Sequence, residues 1–228
     1  MPHSRKNLLF VAQEDRLSIY DPIGKKISAQ LASTATNSVL LQTDGRVVFS
    51  DDLGQVNIVS EQDGSYLKKF RVQRLGKCAL AIDRDGRYLV AAGEDRRITL
   101  WDLNKEKLLG SVLADVPVQS LRLNPKSNLL SAVGFDNSVS VFEWPSLRRV
   151  IALNPSEEPV LWCDTTADGK RLLLANRRAV SLIDLEYGVG VLDIISFSSP
   201  SLCLDVDESQ TSVFAYGEDD RLARYSLL

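Results

Sequence analysis

Few residues in this chain have the type and spacing to do chemistry. One histidine, His3, stands close to Met1, and three cysteines, Cys78, Cys163 and Cys203, lie far apart. General acid–base and nucleophilic catalysis need a base held beside a nucleophile or a water. The chain has no Gly-x-Ser-x-Gly elbow, phosphate-binding glycine loop, His-Glu-x-x-His helix or Cys-x-x-Cys pair to supply one. An odd number of widely separated cysteines fits neither a disulfide framework nor a zinc cluster. The cysteines are therefore expected to be buried, inert thiols. The acidic side chains sit mainly in turns, where Asp supports local backbone geometry. No catalytic residue, cofactor, metal or small-molecule substrate is expected.

What remains is charge and shape. The 228 residues are 44% hydrophobic and 25% charged, with a formal net charge of −3. Such a balance excludes collagen-like and strongly disordered classes and gives no general attraction to nucleic acid or anionic membrane. Residues 1–6 are basic and polar and read as a disordered leader to the first apolar run. Neither a signal peptide nor an apolar stretch of membrane-spanning length is expected anywhere along the chain. A reducing compartment, cytoplasmic or nuclear, follows from the cysteine usage.

The elements that must present these charges announce themselves by repetition. Asn7 to Asp21 (NLLFVAQEDRLSIYD) resembles Arg87 to Asp102 (RYLVAAGEDRRITLWD) in apolar run, Glu-Asp-Arg turn and aromatic-Asp ending. Equivalent endings follow Tyr20 at Val59, Trp101, Phe142, Ile183 and Tyr225, at steps of 39, 42, 41, 41 and 42 residues. A second marker, the turn ahead of each apolar run, keeps the same step: Asp44-Gly45, Asp85-Gly86, Lys126-Ser127, Asp168-Gly169 and Ser209-Gln210. The repeating units span 7–35, 36–76, 77–117, 118–159, 160–200 and 201–228. Within each, runs of four to six residues rich in Val, Leu and Ile alternate with Gly, Asp, Asn and Pro turns, the pattern of antiparallel hairpins. One small sheet per 41 residues cannot bury its own faces, whereas sheets stacked about an axis can. The expected fold is all-β, a β-propeller of about six blades.

Trp101-Asp102 closing a third strand, the Asp85-Gly86 turn and Gly93-Glu94-Asp95 between strands resemble a WD40 repeat. The likeness is best in the third and fourth units and extends, in degenerate form, over the whole chain. Typical repeats carry a Gly-His pair before the innermost strand, whose His joins an Asp, a Ser or Thr and the Trp in a buried hydrogen-bond network. With His3 as the sole histidine, no unit here completes that network, and stability is expected to rest on apolar packing between blades. Asp95, Asp136 and Asp219 match the family's turn aspartate, and Arg177 replaces it in the fifth unit. Asn104 stands where members that recruit substrates to cullin-type ubiquitin ligases carry Arg, so that role has no support.

By the same resemblance, the segment entering an innermost strand and the turn between second and third strands share one rim. The third unit places Arg71, Arg74, Lys77, Arg96 and Arg97 there, against Glu94 and Asp95. This local basic patch is either a solvated rim whose charges pair locally or a dock for an acidic peptide or a nucleic-acid backbone. In the fifth unit Glu157 and Glu158 face Arg177 and Arg178 and should neutralise them. Trp162 is expected in the core or lining a channel, and Trp144, beside Pro145, either to staple a hairpin or to stand as an exposed anchor.

The 228 residues fall short of six full units. Unit one starts at its second strand and unit six stops after its third. Open strand edges at Leu8 and Phe10, and at Leu222 and Tyr225, would invite pairing with another chain. The ring is thus expected to be open, or completed by a partner at this seam. The resemblance implies a non-enzymatic scaffold that binds protein partners within a multiprotein complex. Its first alternative is an RNA- or ribonucleoprotein-associated module using the basic rim, and the second a propeller hydrolase with carboxylates and a metal in its channel.

Overall fold

A computed structural model describes residues 9–12, 16–21, 26–32, 38–41, 45–60, 63–73, 76–124, 126–153, 158–186, 191–197, 200–206 and 212–226. Every regular element among them is a β-strand, and each sheet is an antiparallel meander of strands consecutive in sequence. The chain divides into two compact units, Met1–Ser120 and Leu121–Leu228.

The first unit begins with a three-stranded sheet, β1 (Leu9–Ala12), β2 (Arg16–Asp21) and β3 (Lys26–Ala32). Two four-stranded sheets follow. One is β4 (Ser38–Leu41), β5 (Arg46–Ser50), β6 (Gln55–Ser60) and β7 (Tyr66–Arg71); the other is β8 (Cys78–Ile82), β9 (Tyr88–Gly93), β10 (Arg97–Asp102) and β11 (Lys107–Leu113). The second unit takes up most of β12 (Val118–Asn124), which joins β13 (Leu129–Gly134), β14 (Val139–Glu143) and β15 (Arg149–Leu153). Next come β16 (Trp162–Thr165), β17 (Arg171–Ala175), β18 (Ala179–Asp184) and β19 (Val191–Ser196). A three-stranded sheet closes the sequence: β20 (Ser201–Val206), β21 (Ser212–Gly217) and β22 (Leu222–Ser226).

The sequence pattern explains the gradient across each sheet. Second strands such as β9 and β13 are near-continuous apolar runs and are buried along almost their whole length. A strand buried along its length has no need of polar alternation. Outer strands such as β7 and β11 are exposed at most positions. Between second and third sheets, Val48, Val56 and Ile58 pack with Cys78, Leu80, Leu89 and Ala91. Val133, Val139 and Val141 do the same with Cys163, Leu172 and Leu174 in the second unit, and Leu173, Ala175 and Val180 pack with Val213. Each fully buried Val, Ile or Leu contributes about 2 kcal/mol relative to exposure. The core therefore sits between successive sheets, as in the blades of WD40 β-propellers.

Five sheets carry a register shift between third and fourth strands, or second and third in the first sheet. It falls directly before Tyr20, Val59, Trp101, Phe142 and Ile183. These are the residues that mark the sequence period. A bulge there increases the twist of the outer edge, so the repeat seen in the sequence is a repeat of local backbone geometry.

Candidate interaction rim and inter-sheet groove

The site grows from a turn. Asp51, buried at the β5–β6 turn, accepts the backbone N–H groups of Leu53 (3.1 Å) and Gln55 (2.9 Å) and the side-chain amide of Asn57 (3.3 Å). Gly54 completes the turn with φ +71°, a conformation in which a side chain is strained. Its carbonyl accepts the N–H of both Val72 (3.0 Å) and Gln73 (3.2 Å), and Asp52 accepts that of Gly76 (3.2 Å). The connection from β7 to β8 is thereby fastened to the second sheet.

Its other side meets the β9–β10 turn. A Cβ on Gly93 would collide with the Lys77 carbonyl oxygen and lie 2.6 Å from Gln73 Oε1; one on Gly76 would lie 2.5 Å from Glu94 Oε2. Only glycine permits this approach. Within the turn, Asp95 accepts the Arg97 N–H (2.9 Å), Arg96 donates its N–H to Gly93 (3.2 Å) and its carbonyl accepts Ala114 N–H (2.8 Å). Arg96 holds φ 63°, the left-handed region taken by Asn137 and Asp220 in the corresponding turns of other sheets.

Arg71, Lys77, Arg96 and Arg97 are all exposed at this end of the adjoining second and third sheets. Arg74 lies outside the described residues. Among the described residues no carboxylate forms an ion pair with Arg96 or Arg97. The sequence reading set Glu94 and Asp95 against the patch; the β5–β6 turn adds exposed Asp52.

Below the rim a groove of about 650 Å³ opens between the end of β7 and the face of β10 and β11. Arg71, Gln73, Asp95, Arg97, Trp101 and Leu108 line it. Phe70 packs against Trp101 with ring centroids 5.6 Å apart. The Lys68 ammonium donates to the Leu103 carbonyl (3.0 Å) and pairs with Glu106 (3.1 Å), tying the two sheets together. Half of the family's network survives in altered form: Trp101 Nε1 donates to Thr99 Oγ1 (3.0 Å), which donates to the Ala91 carbonyl (3.0 Å). Gln73 occupies the connection ahead of the innermost strand, where the family carries Gly-His. It is 3% exposed, and neither polar atom of its amide has a partner.

The remaining candidates fall elsewhere. Cys78 and Cys163 are buried and free, and burial pushes both thiols up to about 12. Their carbonyls accept Ser50 Oγ (2.6 Å) and Ser131 Oγ (3.1 Å), linking neighbouring sheets. Cys203 lies on β20. Trp162 is a core residue with the Arg122 guanidinium 5.6 Å over its ring, and Trp144 is half-buried in the β14–β15 turn. Arg178 pairs with Glu158 at 3.1 Å, and Arg177 pairs with Glu218 from the next sheet; Glu157 lies outside the described residues. Of the seam residues, Leu8 is also outside them and Phe10 is on β1, opposite Ile19. Leu222 is 71% exposed on β22, whereas Tyr225 stacks on Phe197 at 5.0 Å and is a packing residue.

Sequence reasoning missed Asp51 and Gln73, and named Gly93 only as part of a turn between strands. Asp51-Asp52-Leu53-Gly54 is a turn signal that could have located the first. The role of Gln73 has no local signature, because its environment is built by two other turns.

Residues 64–102 match the WD40 family, described as WD domain, G-beta repeat. The chain is 24% identical to U3 small nucleolar RNA-associated protein 21 of Saccharomyces cerevisiae over 54% of its length, 13% of that protein. It is 25% identical to Topless-related protein 3 of Arabidopsis thaliana over 64% of its length, 14% of that protein. With WD repeat-containing protein 46 of Caenorhabditis elegans it shares 25% identity over 53% of its length, 21% of that protein. The matched regions thus cover no more than about a fifth of these relatives. The WD40 family consists in general of non-enzymatic scaffolds for protein interaction. Residues 64–102 thus carry a WD40 repeat, and the bulged four-stranded meanders and the 41-residue period make the rest of the chain similar to WD40-repeat proteins.

Proposed function

We propose that this protein is a non-enzymatic scaffold that docks protein partners within a multiprotein complex of the cytoplasm or nucleus, using the rim around the β9–β10 turn. The observation that carries this reading is the clamp on Val72, Gln73 and Gly76, which holds Arg71, Lys77, Arg96 and Arg97 at one end of the sheets, with the guanidinium groups of Arg96 and Arg97 in no ion pair among the described residues. A preorganised cluster of this kind binds carboxylates without first ordering its own side chains and loops. Strand edges are the second docking element. Among the described residues β1 pairs with β2 alone and β22 with β21 alone, which leaves each able to accept a strand from a partner.

The test is quantitative co-purification of the tagged full chain beside an Arg96→Glu/Arg97→Glu variant, each with and without ribonuclease. Partner proteins lost from the variant but indifferent to ribonuclease are the expected result. An unchanged set of partners in the variant overturns the role of the rim.

A second reading rests on the basic rim together with the small nucleolar RNA association in the name of the yeast relative. Here the same rim binds RNA phosphates. Filter binding of a single-stranded oligonucleotide would then weaken steeply with salt, and ribonuclease would release the partners.

A further inference from the structure

The groove beneath the rim has a chemical polarity that narrows the kind of partner. Its floor is one face of the β10–β11 pair. Cross-strand partners on that face are Arg97 with Leu113, Thr99 with Ser111, and Trp101 with Leu108. Because side chains alternate along a strand, these three pairs form three successive rungs. The rung nearest the rim is cationic, with Arg97 on the floor and Arg71 in the wall. The farthest is apolar, with Trp101 half-buried and Leu108 45% exposed. Gln73, in the wall beside Arg71, adds a donor and an acceptor that the protein leaves unused. Asp95 is the one carboxylate lining the groove, and its Oδ1 already accepts the Arg97 N–H. The lining is therefore apolar at one end and net positive at the other.

We infer that this groove binds an extended peptide segment carrying a large apolar side chain and a carboxylate four residues apart. The spacing follows from the floor. Arg97 and Trp101 are four residues apart on β10, and a strand rises about 3.3 Å per residue, so the two ends are about 13 Å apart. An extended ligand running along β10 matches that distance with the same four-residue separation. A helix would cover only about 6 Å in four residues and would bring both groups to one end. The inference rests on the scaffold reading and names the class of partner.

The experiment is selection of a random ten-residue peptide display library on the full chain, followed by titration calorimetry of the enriched peptides. Enrichment of Leu, Ile, Phe or Met four positions from Asp or Glu is expected. Arg97→Glu and Leu108→Glu, both at exposed positions, should each weaken those peptides at least tenfold while the melting transition is unchanged. Replacing the peptide Glu by Gln should cost about tenfold, since charge-assisted hydrogen bonds are the stronger kind. Absence of the paired motif, or equal binding by both variants, overturns the inference. Peptides lost on Arg96→Glu yet indifferent to Leu108→Glu also overturn it, because they dock on the turn, and they leave the scaffold reading standing. Oligonucleotide binding with no peptide enrichment overturns both.

Discussion

The β9–β10 and β17–β18 turns each present two consecutive arginines at the end of a four-stranded sheet, and they finish in opposite electrostatic states. Arg177 and Arg178 are neutralised by Glu218 and Glu158, which come from segments flanking their own sheet. Arg96 and Arg97 meet a connection that delivers Lys77 and Gln73 instead, while Glu94 is turned against Gly76. What decides whether such a pair is available is the neighbouring segment, not the turn. Exposed ion pairs contribute at most about 1 kcal/mol, so the second rim loses little by pairing. The first shows no ion pair to Arg96 or Arg97 among the described residues.

The comparison breaks most completely at Gly93. Alanine there would drive its Cβ into the Lys77 carbonyl and the Gln73 amide, and backbone cannot yield as a flexible side chain does. Gly93→Ala is expected to destabilise by about 3 kcal/mol, the upper range for overpacking, and to scatter the basic cluster. Urea denaturation checks the first outcome, and loss of peptide binding below the unfolding midpoint the second. The β17–β18 turn has Asn176 before its arginines, where the side chain accepts the N–H groups of Arg178 and Ala179 at 2.8 Å. That turn supports itself through a side chain, and Asn176→Ala should lose only the cap.

The next effect has the opposite sign. Gln73 is buried with an unpartnered amide, an arrangement that costs stability. Gln73→Leu is expected to stabilise the fold by about 1 kcal/mol and to weaken groove ligands, a gain and a loss from one substitution. A rise in melting temperature together with unaltered peptide affinity would remove Gln73 from the site.

How far the sequence could reveal this contrast depends on distance along the chain. The 41-residue step, the strand order within each unit and the marker residues at the bulges are local patterns, and hydrophobic periodicity exposes them directly. Arg71, Lys77, Arg96 and Arg97 were singled out through the family resemblance, which puts such segments on one rim. Asp51 and Gln73 were not. Each acts across sheets through backbone groups, which carry no residue code. The pairing of Arg177 with Glu218 spans 41 residues, one repeat, a separation that adjacency along the chain does not reveal. Tyr225 read as an edge residue because its strand comes last; that its ring also packs against Phe197 has no local signature.

A smaller effect separates the two arginine pairs by their backbone. Arg96 at φ 63° occupies a conformation that asparagine tolerates better, as Asn137 does at φ 66°. Arg96→Asn is expected to stabilise by up to about 1 kcal/mol, measured by denaturant titration, with partial loss of rim binding. Arg178→Glu, which turns an ion pair with Glu158 into a repulsion, should lower stability by about 0.5 kcal/mol at low salt. That difference should fade as salt screens it.

The smallest effect concerns the aspartates that shape these turns. In the β13–β14 turn Asp136 accepts both the Ser138 hydroxyl (2.6 Å) and the Ser138 N–H (2.9 Å), and these bonds, the hydroxyl first, hold its carboxyl below the ordinary 3.8. Asp95 has Arg97 at the same offset and receives only a backbone N–H. Because the folded state favours the ionised form of Asp136, its contribution is present above the unfolded value and is lost as pH falls through the lower folded value. Ser138→Ala should therefore move the Asp136 titration upward, read from its carboxyl carbon shift by NMR, and let the acid loss begin at a higher pH. An Asp136 resonance that titrates at the same pH in Ser138→Ala would show that the Ser138 hydroxyl does not set the ionisation of this turn.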